Sequence, residues 1–183
     1  MFCVWYAVSS FVADVADVYA GDPFYDSDEN IASVDAWFAE HVKQPLAAHG
    51  IGISLAYTSL HNTLKKPGPV FLAMAREVYD KYHADYYYRV NDDTEMIDRW
   101  PKAFVGALRS LPPPYGVVGP TCLEGNTKIL THDFVHKTHM EVFDMNYYPP
   151  ALVDWWMDDW YVLCPCGCND SGSCVCVLCC VVL

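Results

Sequence analysis

The sequence predicts one α/β domain with a mostly parallel central sheet flanked by helices. Strand-like apolar runs alternate with amphipathic helical stretches, the pattern that builds such sheets. The length of 183 residues suits one domain with a real core, and a hydrophobic content of 53% excludes disorder.

Val12 to Tyr19 reads as a strand ending in the turn Gly21-Asp22-Pro23. Ile31 to Ala48 reads as a helix, with Val34, Trp37, Phe38 and Val42 at helical spacing. Ile51 to Tyr57 is rich in strand formers and follows Gly50. Pro67-Gly68-Pro69 breaks the chain, and Val70 to His83 then follows as an amphipathic helix. Tyr86 to Val90 is an aromatic strand running directly into Asn91-Asp92-Asp93-Thr94. A helix is expected from about Ile97 to Leu108, and Gly116 to Pro120 reads as a short buried strand after the Pro112-Pro113-Pro114 loop. In such sheets ligands collect at the carboxyl ends of strands, where Asn91-Asp92-Asp93 falls.

A formal net charge of −12 repels phosphate backbones and anionic lipid, so neither nucleic acid nor a membrane surface is an expected partner. A nucleotide diphosphate remains compatible if a divalent cation bridges it to the protein. The N-terminal run through Tyr19 lacks a basic region and carries Asp14 and Asp17, which suits neither a signal peptide nor an anchor. No uncharged apolar run of about twenty residues occurs, so no membrane segment is expected.

Mg²⁺ and Mn²⁺ prefer carboxylate oxygens, and a diphosphate supplies further ligands. Asp93 is the candidate direct metal ligand, and Asp92 contacts either metal or ribose. Asn, Asp and Thr are equally the residues that turns and helix caps select, so the motif alone leaves a structural reading open. Asp154-Trp155-Trp156-Met157-Asp158-Asp159-Trp160 is the second unusual stretch. On a helix Trp156 and Trp160 share a face while Asp158 and Asp159 point elsewhere. Aromatic faces stack on sugars and a carboxylate takes a proton from a hydroxyl, but an amphipathic helix with buried Trp explains the same residues.

Taken together, these segments resemble the GT-A superfamily of nucleotide-sugar glycosyltransferases, family 2-like with a DxD-type metal motif. The stretch PGPVFLAMAREVYDKYHADYYYRVNDDTEMIDRWPKAFVGAL is similar to that family's central block, with Asn91 in place of the usual first Asp. The resemblance spans about residues 12–163 and is most specific in Tyr86–Thr94 and Trp155–Trp160. It implies a GT-A-like, Rossmann-like fold and a metal-dependent transferase, inverting at the anomeric carbon. Mn²⁺ or Mg²⁺ would be held by Asp93 and Asp92. Asp22, Asn91, Asp92 and Arg76 fall on the side of a nucleotide-sugar donor, a UDP-sugar being favoured. Asp159, or Asp158, is the implied catalytic base. Trp155, Trp156 and His136 would line the site of a glycan or other hydroxyl acceptor.

His132, His136 and His139 would form one imidazole face on a helix, a conceivable zinc site, whereas a strand would scatter them. Seven of the nine cysteines fall between Cys164 and Cys180, marking residues 164–183 as a separate tail. Its Cys-x-Cys pattern suits soft metals, acylation or disulfides, or marks a divergent end. Family members usually place a further metal ligand, often His, after the catalytic acid. No His follows Asp159 here, so the chain is expected to be incomplete. A catalytically inactive nucleotide- or glycan-binding relative, and a metal-binding structural protein, are the alternative readings. The compartment stays open between Golgi lumen and cytoplasm.

Overall fold

A computed structural model of the chain describes residues 2–6, 28–56, 64, 66–90, 95, 97, 100–110, 116–123, 129–154, 156–162 and 175–177. The strand expected at Val12 to Tyr19 therefore lies outside the described residues, as do Asp22, Asn91, Asp92, Asp93 and Trp155.

The fold is mixed α/β. In chain order it contains β1 (Phe2–Tyr6), α1 (Asp28–Phe38), α2 (Gln44–Ala47), α3 (Pro67–Glu77), β2 (Tyr86–Val90) and α4 (Trp100–Arg109). Then follow β3 (Gly116–Val118), β4 (Asp133–His136), α5 (Thr138–Val142), α6 (Met157–Val162) and β5 (Val175–Val177). The π-helical turn Ala39–Lys43 joins α1 to α2, so the helix expected over Ile31 to Ala48 is present and starts earlier. Likewise α3 begins at Pro67, because proline tolerates the first helical turn, where its missing N–H has no partner to lose. The π-helical turn Val78–Tyr82 extends α3, and His83 ends it in the left-handed conformation at φ 49°. Residues 51–56 form no regular structure, contrary to the strand expected there.

Among the described residues the strand order is β1-β2-β4-β3-β5, and only the β1–β2 pairing is parallel. The expectation of a mostly parallel sheet is thus corrected. The reason lies in β4, which inserts between β2 and β3 and runs against both. β1, β2 and β3 still share one direction, so their carboxyl ends lie along one edge.

Side-chain alternation along β2 sorts the core into two layers. Tyr86, Tyr88 and Val90 face α4, packing with Phe104, Leu108, Val118 and Phe134. Tyr87 faces the other way, against Val70, Phe71 and Met74 of α3 and against Val135, Met140 and Tyr147. With both faces covered, every residue of β2 is buried, which explains its apolar and aromatic character apart from Arg89.

The loop after β3 passes close to the strand that returns. A Cβ at Gly119 would sit 2.2 Å from the His132 carbonyl oxygen, a backbone atom that cannot swing aside. Gly119→Ala is therefore expected to destabilise the fold by about 1–3 kcal/mol, the usual cost of overpacking. At Gly106 in α4 a Cβ meets nothing within 4 Å, so Gly106→Ala is the neutral or stabilising control. Urea denaturation of both variants checks the contrast; equal midpoints would contradict the close approach.

Candidate functional site

The site is built around a charge inside an apolar sheet. Arg89 is the fourth residue of β2, shares its face with Tyr87, and is 4% exposed. An unpaired charge in that position would be very costly, so the surroundings must supply anions. Register supplies the first: Arg89 lies directly opposite Asp133 on β4, which is fully buried. Arg89 Nε donates to Asp133 Oδ2 at 2.8 Å, and Nη2 donates to the Thr131 carbonyl. Nη2 also donates to Asp158 Oδ1 at 2.8 Å, reaching across to α6.

Both oxygens of Asp133 accept hydrogen bonds from hydroxyls. Tyr147 Oη donates to Oδ1 and Tyr148 Oη to Oδ2. The Phe71 and Tyr148 rings lie 5.1 and 5.7 Å from the guanidinium carbon, adding cation–π contact. Burial works against the Arg89 charge, but Tyr148, Asp133 and Asp158 outweigh it and raise its pKa well above the ordinary value. Asp158 is part-buried, and that burial pushes its carboxyl up against the opposing pull of Arg89.

Arg89 lies one residue before the end of β2 and two before Asn91. The Arg89–Asp158 ion pair therefore draws the Trp-acid segment to the carboxyl end of the strand that leads into Asn91-Asp92-Asp93. Arg89 and Asp158 lie 69 residues apart in sequence and meet in space. The segment is pinned from α3 as well. Gly68 N–H donates to the Val153 carbonyl at 2.9 Å, and Lys66 pairs with Asp154. Gly68 is required there, since a Cβ would meet Val153 backbone atoms at 2.8 and 2.9 Å.

Trp156 precedes α6 rather than belonging to it, with φ 77° and 66% exposure. Its carbonyl accepts from the Trp160 N–H at 2.9 Å, the first bond of the helix. A bulky residue in the left-handed region costs on the order of 1–3 kcal/mol and persists only where the surroundings impose it. The result separates the tryptophans expected to share a face. Trp160 packs on Phe143 and His139, with centroids 5.2 and 6.3 Å away, while Trp156 faces solvent. Asp159 is half-buried and has no hydrogen bond or ion pair with any described residue.

No family model, curated protein or solved structure matches the chain. The reading of the site therefore rests on its chemistry.

Two residues expected near the site have other partners. His136 pairs with Tyr86 at the opposite end of β2, three residue pairs from Arg89 and so about 10 Å along the strand. Its Nδ1 accepts from the Thr138 N–H at 3.3 Å, and burial lowers its pKa. Arg76 is exposed and donates to the Met145 carbonyl and Asn146 Oδ1 at 3.0 and 2.9 Å. It thereby holds the turn in which Asp144 and Met145 have positive φ. The three histidines do not converge: four residues of strand separate His132 from His136 by about 13 Å. His139 is buried in α5, where its Nε2 bonds the Tyr147 carbonyl at 2.8 Å and burial lowers its pKa. Among the described residues no group of three His, Cys, Asp or Glu could hold a metal ion. No described helix is long and apolar enough to cross a membrane.

Sequence reasoning missed Arg89, Asp133, Tyr147 and Tyr148. One signal was available: an Arg inside a strand otherwise made of Tyr and Val demands a buried acidic partner.

Proposed function

We propose that the chain is a metal-dependent glycosyltransferase that moves a sugar from a nucleotide diphosphate to an acceptor hydroxyl with inversion. The observation that supports this reading is the Arg89–Asp158 ion pair, which joins β2, the strand that precedes Asn91-Asp92-Asp93 in sequence, to α6. Such a reaction needs a donor site and a proton acceptor, and Asn91-Asp92-Asp93 and the α6 carboxylates carry the residue types for each.

The donor set fits a hard cation, because Asp92 and Asp93 offer carboxylate oxygens. A bound Mn²⁺ or Mg²⁺ would neutralise charge on the departing diphosphate. The remaining roles belong to side chains. The exposed Trp156 ring offers an aromatic platform for a sugar face beside α6. A carboxylate of α6 takes the proton from the acceptor hydroxyl. The hydroxyl oxygen then bonds the anomeric carbon from the face opposite the leaving group. The bond to the diphosphate breaks, and its electron pair leaves with the diphosphate.

The test is incubation with UDP-sugars, Mn²⁺ and glycan acceptors, reading UDP release and the anomeric configuration of the product. Inverted product is expected, and Asp93→Ala is expected to remove metal-dependent turnover. Retained configuration, or an Asp93→Ala variant of full activity, would overturn the assignment.

A further inference from the structure

Two adjacent carboxylates lie at the start of α6, and their surroundings differ. Asp158 shares the buried guanidinium of Arg89 with Asp133, while Asp159 has no ion-pair partner among the described residues. We propose that Asp158 is a positioning residue, tethered by Arg89, that holds α6 against the end of β2 so that Asp159 takes the acceptor proton. The inference rests on the glycosyltransferase reading for its chemistry, but the tether itself does not.

Three observations carry it. The contacts at Gly68 and Lys66 fix the approach to α6, at Val153 and Asp154, whereas Asp158 is a residue of the helix itself with an ion pair to the sheet, beside the core packing of Met157. Between them lies Trp156, whose left-handed backbone must be held from both sides. The two pinned ends, Asp154 and Asp158, supply that constraint. Finally, protonating Asp158 would remove in every turnover the charge that draws α6 to Arg89. Protonating Asp159 leaves the tether intact. The proton passes from the acceptor hydroxyl to an Asp159 carboxylate oxygen and returns to water after product leaves, so the step needs no further reactant.

The test uses the full chain and the variants Asp158→Asn, Asp158→Ala and Asp159→Asn. Asn keeps an oxygen that accepts from Arg89, so Asp158→Asn should hold kcat within about tenfold, losing only the charge assistance of the bond. Asp158→Ala should lower kcat by about 10²-fold through misplacement, with the donor KM unchanged. Hydrogen exchange of the Met157–Val162 amides gives a readout independent of turnover. It should accelerate in Asp158→Ala and match the unaltered chain in Asp158→Asn and Asp159→Asn. If Asp158→Asn is as inactive as Asp158→Ala while its exchange is unchanged, Asp158 is itself the base and the proposal fails. Unchanged exchange in Asp158→Ala would remove the tether. Should no donor be turned over at all, the exchange comparison still decides the tether, so failure of the two readings remains distinguishable.

Discussion

Replacing Asp133 with Ala is expected to lower the melting temperature by about 6–20 °C, since breaking a buried ion pair costs about 3–5 kcal/mol and a chain of this size loses about 2–4 °C per kcal/mol. The expectation follows from how many groups share that carboxylate. Asp133 is fully buried and accepts from Arg89, Tyr147 and Tyr148. Its loss removes an acceptor from two buried hydroxyls and leaves Arg89 with Asp158, at 28% side-chain exposure, as its remaining ion-pair partner among the described residues. Asp133→Asn keeps two polar atoms of the same shape and should fall between the two. Scanning calorimetry reads the effect, and a shift for Asp133→Ala below about 3 °C, roughly 1 kcal/mol, would mean that the network relaxes or hydrates easily.

Asp159→Asn is expected to lower transfer by about 10²–10⁴-fold, the usual contribution of a general base, while donor binding stays intact. The side chain is half-buried and has no ion pair among the described residues, so no stability loss should accompany the change. That separation is what distinguishes it from Asp133→Ala, where folding suffers first. Comparison of kcat with the donor KM in the Asn variant checks it. Full activity would move the role to Asp158 or end the glycosyltransferase mechanism.

How much was legible follows from what periodicity encodes. β2, β3 and α4 were readable because an apolar run or a helical repeat is a local signal. Strand direction is not local. Alternating strands and helices suggested parallel pairing, yet no described helix separates β3 from β4, and a chain that returns without a crossover can only run antiparallel. Ile51 to Ala56 carries the residue types of a strand but pairs with no strand, and composition cannot announce a missing partner. Phe2–Tyr6 shows the converse, an apolar segment read only as a poor leader that forms a strand beside β2.

At the site, the acidic residues of the Trp-acid segment stood out by composition. The reason they matter did not, because Arg89, Asp133 and Asp158 are brought together by strand register and by the return of the chain to α3. Trp156 and Trp160 were expected on one face, and a left-handed backbone at Trp156 undoes that spacing. A left-handed backbone has no sequence signature at a tryptophan, which rarely adopts it.

The most direct test of the central claim is a thermal-shift titration of the full chain with UDP, GDP and CDP, each with and without Mn²⁺. A ligand that binds the folded state raises its stability, by about 2.7 kcal/mol at a hundredfold excess over Kd. Stabilisation by one nucleotide, UDP, is expected, and only when Mn²⁺ is present. A folded protein whose melting temperature no nucleotide moves, with or without metal, would contradict it.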